Sequence, residues 1–275
     1  ALVALRLFRE ATISTSSNTH INRWNLREIP KLFEQLIECG IRAWLMQFTV
    51  AMGRAADEED LLLEPYQLLE AMPMLARLKR RADDVGVKFW AGNNIGYFGP
   101  HESALRSSYP SGHMGSCGAG RVVLGIEANG NIKGCPSLPT SDYVGGNVRD
   151  HSLRDIWERS ASLRFTRDRT VDELWGICAR CYYRDACLAG CSWTTHVLFG
   201  RRGNNPFCHH RSLELLREGR RERLLRKEKP GGVPFDFGRY EIVEEPWPAA
   251  ELERARAVVS GSEQWLLTEG SSEAC

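Results

Sequence analysis

Seven of the nine cysteines fall between Cys117 and Cys208, in a fixed order. They read C117-x12-G130-x4-C135, then C178-x2-C181-x5-C187-x3-C191, then C208 after sixteen more residues. An odd number of thiols cannot all pair as disulfides. A packed core seldom needs so many in so short a stretch. Thiolates gather in fours around soft metal centres, so the block points to iron–sulfur clusters or zinc. The other two are Cys39, inside a helical pattern where it reads as buried filler, and Cys275, the last residue.

Composition narrows the setting. The chain has 275 residues, 43% of them apolar, which is enough for about two domains with buried cores. A net charge of +1 gives no electrostatic reason to expect nucleic acid or a membrane surface. The most apolar run, Ile41 to Met52, is interrupted by Arg42 and Gln47 and is too short to span a bilayer. Arg6 and Arg9 break the first apolar run, so no signal peptide is read. A reducing cytoplasm is the expected location, because free thiolates persist there. Leu2, Leu5 and Phe8 already lie on one helical face, so the chain reads as a piece whose start is missing.

The first hundred residues alternate helix and strand. Residues 1–10 read as the end of a helix, and Thr12 to Thr19 as a strand leading into a loop. Leu26, Ile29, Leu32, Phe33, Leu36 and Ile37 recur at helical spacing up to Gly40. Ile41 to Val50 reads as a buried strand. Leu68 to Leu78 marks a helix with Pro73 as a kink candidate, and Val87 to Ala91 a third strand. Such alternation predicts an α/β fold with parallel strands and helical crossovers. Ligands of such folds meet the loops at the carboxyl ends of strands, where the reading places Asn18, Gln47, Arg54, Asn93 and Asn94.

From Ser107 the character changes. Arg121 to Glu127 and Asn131 to Cys135 read as a hairpin about Asn129-Gly130, with positive φ expected at both turn residues. That hairpin would return the chain after Cys117 toward Cys135. Ser152-x-x-Asp155 and Thr170-x-x-Glu173 read as capping boxes opening two helices, the second delivering Cys178 and Cys181. A helix with a solvated, ion-paired face is expected from His210 to Arg226. The region after Pro230 is Gly/Pro-rich, then acidic, with weak helical spacing at Leu252 to Val259 and no visible chemistry.

Three readings of the thiols stand at this point. Two iron–sulfur clusters suit the short intervals and the nearby glycines. Zinc suits Cys178-x2-Cys181, with Cys or His completing each site. Disulfides in a secreted domain would require an export signal that is not seen.

The cysteine order, with Gly130 at its interval, closely resembles the SPASM domain that follows the barrel of many radical S-adenosylmethionine enzymes. Met52-Gly53-Arg54-Ala55 and Gly92 to Tyr97 resemble, more weakly, the peptide-maturing members. The resemblance covers roughly residues 1–215. It implies the C-terminal half of a partial (β/α)6 TIM-like barrel over residues 1–106, a small cysteine-rich α+β SPASM domain with a β-hairpin over 107–215, and a C-terminal helix and tail over 216–275. It implies two auxiliary [4Fe-4S] clusters, one on Cys117, Cys135 and Cys191, the other on Cys178, Cys181, Cys187 and Cys208.

Some relatives complete the first cluster with a further cysteine. Here the stretch 109–114 holds no thiol, and His113 is the candidate fourth ligand; without it one iron is open to substrate or water. The C-x3-C-x2-C that holds the S-adenosylmethionine-cleaving cluster is absent, so this chain by itself is not expected to generate the radical. For the intact enzyme the resemblance implies reductive cleavage of S-adenosylmethionine, hydrogen abstraction from a peptide or small-protein substrate, and an external electron donor. Asn18, Gln47 and Arg54 are candidates for the cofactor or substrate face. A non-catalytic zinc- or cluster-binding module that docks a peptide is the alternative.

Overall fold

The computed structural model describes residues 1–261, so Cys275 lies outside the described residues. Strands β1 (Ser16–Ile21), β2 (Ala43–Phe48) and β3 (Lys88–Ala91) form a parallel sheet in the order β1-β2-β3. The helices Ile29–Glu38 and Leu68–Asp84 connect them, and the second runs through Pro73 without interruption. The α/β alternation read from the sequence is therefore the observed one.

Register sorts the side chains into two faces. Trp44, Met46 and Phe48 of β2 join Ile21, Phe89 and Ala91 in the main core beneath the helices. Trp44 stacks on Phe33 of the first connecting helix at 4.5 Å, and its indole donates to Thr19 Oγ1 at 2.8 Å. The opposite face carries Asn18 beside Leu45 beside Trp90, and His20 beside Gln47. Among the described residues no helix covers that row: Asn18 and His20 are exposed, and Leu45 and Gln47 half-buried. A half-open sheet face of this kind can line a site.

The cysteine region has its own antiparallel sheet, β4 (Gly125–Ile126), β5 (Asn131–Lys133) and β6 (Val144–Asn147), in that order. The expected hairpin is present, with one difference. Gly130 takes φ +90° and donates to the Glu127 carbonyl at 2.8 Å, while Asn129 stays out of the positive-φ region. One left-handed glycine after an ordinary turn closes this longer loop, so the asparagine needs no special conformation. Ser152 caps the helix Leu153–Arg159 as expected, accepting from the Asp155 N–H at 3.1 Å.

Two expectations fail. Thr170 caps only a 3₁₀ turn, Val171–Glu173, and Cys178 sits in a second 3₁₀ segment, Gly176–Arg180. Trp175 interrupts any helix there, because its N–H donates to Gly203 O (3.2 Å) and its indole to Arg202 O (2.7 Å). After Cys208 the helix covers only His209–Arg217. Gly219, at φ +69°, ends it, and the charged run becomes strand β7 (Arg220–Glu228), paired antiparallel with β8 (Arg239–Pro246). The basic residues of this run pair across strands with acidic residues of β8 instead, as Arg221–Glu245 (2.7 Å) and Lys227–Glu241 (2.7 Å) do. The helix Ala249–Ser260 packs Ala255 and Val258 with Leu213 and Trp247. The main core also takes Leu198, Phe199, Phe207 and Tyr240, so it runs across the boundaries expected from sequence.

Candidate metal centres

All eight described cysteines are free thiols. Seven of them separate into two groups. Cys117, Cys135 and Cys191 line a cavity of about 510 Å³, together with Leu45, Gln47 and Trp90 from the open sheet face. Cys178, Cys181, Cys187 and Cys208 line a second, smaller cavity with Tyr97 and Phe98. Among the described residues no three His, Cys, Asp or Glu side chains are disposed to hold a single metal ion. The thiols surround spaces rather than converging on points.

Local backbone devices bring each group together. Gly120 donates its N–H to Gly134 O at 2.9 Å, which sets the segment after Cys117 against the residue before Cys135. A Cβ at Gly134 would lie 2.9 Å from the Gly120 nitrogen, so that approach requires a glycine. Arg169, buried, donates to Ser116 Oγ (3.0 Å), Ser192 Oγ (3.3 Å) and the Leu188 carbonyl, clasping the neighbours of Cys117 and Cys191. Leu188, Ala189 and Gly190 all take positive φ (47°, 58° and 58°). Left-handed leucine and alanine cost about 1–2 kcal/mol each, so this turn is held by its surroundings. It sends Cys187 to one cavity and Cys191 to the other.

Tyr97 stands between the groups. Its hydroxyl accepts from the Cys191 N–H at 2.9 Å and donates to Asn93 O, while its carbonyl lies 3.5 Å from Cys208 Sγ. Tyr97→Phe is expected to lower unfolding free energy by about 1–2 kcal/mol, read by chemical denaturation, since it leaves a buried amide without its acceptor. An unchanged midpoint would mean water replaces the hydroxyl. Gly190→Ala should do more. Its Cβ would sit 2.3 Å from Tyr97 Cζ at a positive φ, and about 2–4 kcal/mol of destabilisation is expected by the same measurement. Wild-type stability in that variant would show that the turn and the ring can move apart.

Burial governs the thiols. It pushes Cys191 up to about 12, with the Cys117 thiol adding to the effect, and Cys208 up to about 12, with Cys178 and Cys181 adding. Cys187 is raised well above its ordinary value, again first by burial and then by Cys208. Thiols crowded together and withdrawn from water ionise when a positive centre sits among them. Three and four soft donors around a small space fit an iron–sulfur cluster by donor type and number.

The remaining sequence candidates scatter. Gln47 lines the three-thiol cavity, as do Asn93 and Asn94. Asn18 is in mid-strand on the same open face, not in a loop. Arg54 is exposed at the start of the short helix Arg54–Asp57, away from these side chains. The His113 ring lies 5.1 Å from Phe98, which walls the four-thiol cavity, rather than lining the space between Cys117, Cys135 and Cys191. The sequence reading missed Arg106, fully buried beneath the three-thiol cavity. It donates to the carbonyls of Ala91, Gly92 (2.9 Å) and Ile95 (3.2 Å), and Glu102 lies 3.6 Å from its Nε. Glu102 in turn accepts from the Met114 N–H at 3.1 Å. This pair ties the loop after β3 to the segment leading into Cys117. Glu102-x3-Arg106 beside a strand end was the available signal.

The SPASM family, described as an iron–sulfur cluster-binding domain, matches residues 117–182. Residues 117–182 of this chain thus carry the SPASM match. The matched span contains Cys117, Cys135, Cys178 and Cys181; Cys187, Cys191 and Cys208 follow it. The chain is 25% identical over 215 residues to the AdoMet-dependent heme synthase of Methanosarcina barkeri, covering 76% of this chain and 60% of that protein. It is 33% identical over 92 residues to the mycofactocin maturase MftC of Mycolicibacterium smegmatis, covering 33% of this chain and 23% of that one. In fold it is similar to native anSMEcpe with bound AdoMet and Cp18Cys peptide, with a TM-score of 0.54 at 14% identity, over 77% of this chain and 57% of that one. The chain thus spans less than two thirds of the length of these relatives. Among the described residues no helix is long and apolar enough to cross a membrane.

Proposed function

We propose that this chain is the cluster-bearing part of a radical S-adenosylmethionine/SPASM enzyme that modifies a peptide or small protein. It holds two auxiliary [4Fe-4S] clusters, one on Cys117, Cys135 and Cys191 and one on Cys178, Cys181, Cys187 and Cys208. The separation of the seven thiols into a three and a four, each around its own cavity, carries this reading. Bound clusters supply one-electron storage beside the substrate. The chain's own share is shape. The open sheet face and the three thiols border one space, where Gln47 and Asn93 offer polar contacts and Trp90 and Leu45 an apolar wall. With three thiols and no fourth cysteine in the stretch 109–114, the first cluster has an iron free for substrate or water.

A peptide substrate is supported by the likeness to a maturase and, in fold, to a peptide-bound structure. S-adenosylmethionine would bind in the intact enzyme, with electrons from an external donor in the cytoplasm. We assign Asn18 and Gln47 to the substrate or cofactor face and leave Arg54 out of it. In the intact enzyme Gln47→Ala should lower turnover about tenfold, the loss of an oriented polar contact, without changing iron content. Unaltered turnover would remove Gln47 from the site.

A further inference from the structure

A buried ion pair lies beside the segments that carry Cys178 and Cys208. Arg211 and Glu222 form an ion pair at 2.5 Å, with side chains only 4% and 3% exposed. Arg211 lies in the first turn of the helix that begins just after Cys208, and Glu222 comes from β7. The guanidinium also donates to Asn204 Oδ1 at 2.6 Å and to the Asn205 carbonyl at 3.1 Å.

These contacts lead to sulfur. The Asn205 backbone hydrogen-bonds the Cys178 thiol, and the Arg211 backbone hydrogen-bonds the Cys208 thiol. Asn204 packs against Gly176, where a Cβ would lie 2.4 Å from its Nδ2, in the turn that carries Cys178. The pair itself is incompletely satisfied: Arg211 Nε and Glu222 Oε2 are buried without hydrogen-bond partners. The three-thiol group differs, since Arg169 there is held by hydroxyls and a carbonyl.

We propose that the buried Arg211–Glu222 pair sets the reduction potential of the cluster held by Cys178, Cys181, Cys187 and Cys208, the hairpin supplying the counter-charge to the arginine. The inference rests on the assignment of that cluster. A cation fixed beside a thiolate-bound cluster favours the more negative, reduced form, and a carboxylate opposes it. Arg211 and Glu222 are positioning residues, bound to the ligand-bearing backbone rather than to iron. The C-terminal hairpin, which lies beyond the matched SPASM span, would then be an electrostatic part of the centre.

The test is a dithionite titration of the anaerobically reconstituted full chain, followed by electron paramagnetic resonance. The signal lost in Cys181→Ser identifies the four-thiol cluster. Glu222→Gln keeps shape and is expected to raise the reduced-to-oxidised ratio of that signal about tenfold at fixed potential, or about 59 mV. Arg211→Met should move the same signal the opposite way, and the other cluster should stay in place in both variants. Unmoved midpoints, shifts of one sign in both variants, or equal shifts of both clusters would overturn the proposal. If Arg211→Met does not load iron, Glu222→Gln decides alone. An unmutated chain that takes up no iron would instead remove the cluster assignment underneath.

Discussion

Arg106→Met is expected to destabilise the reconstituted protein by about 3–5 kcal/mol. The side chain is fully buried and serves three carbonyls at the end of β3. Methionine fills much of the volume but donates nothing, so those carbonyls lose their partner. Glu102, 5% exposed, would remain without its cation. Burial already raises the pKa of Glu102 against the pull of Arg106. The expected consequence is also local. Glu102 holds the Met114 N–H, so the segment entering Cys117 should loosen with it. Urea denaturation gives the free energy, and hydrogen exchange at Met114 gives the local effect. A loss below about 1 kcal/mol would show that water reaches those carbonyls, and the clasp would not be structural.

Cys181→Ser and Cys208→Ser are each expected to cut bound iron by about half, because serine leaves a four-thiolate cluster with three sulfur ligands. The loss should be similar in the two variants, since both residues belong to one group. Cys39→Ser is the control. Cys39 is buried in the main helical layer with its Sγ 3.7 Å from the Leu2 carbonyl, far in sequence from the block, and iron should be retained. Because Leu188, Ala189 and Gly190 join the two groups, some loosening of the second cluster is expected as well. Equal iron in Cys181→Ser and the unmutated protein would contradict the grouping.

Much of this was legible in the chain. The parallel strands announced themselves because apolar runs such as Trp44-x-Met46-x-Phe48 face one core and the helices between them keep a 3.6-residue period. The grouping of the thiols came from a family resemblance, since spacing alone left iron–sulfur and zinc readings open. What failed was charge. The run Arg220 to Lys227 has signs that satisfy helical spacing and strand pairing alike, and only Gly219 and the partner strand decide between them. Arg106, Arg169 and Arg211 were invisible for a related reason. An arginine is ordinarily a surface residue, and its burial depends on carbonyls and carboxylates from distant segments that no local pattern reveals. His113 looked like a ligand by proximity in sequence, yet Phe98 holds its ring elsewhere.

The account stands on seven thiols holding inorganic clusters. Anaerobic reconstitution of the unmutated chain, followed by iron, sulfide and zinc analysis of the folded fraction, tests it most directly. About eight iron and about eight sulfide per chain are expected, with a brown colour. A folded, colourless protein with zinc in place of iron, or with no metal at all, would contradict it.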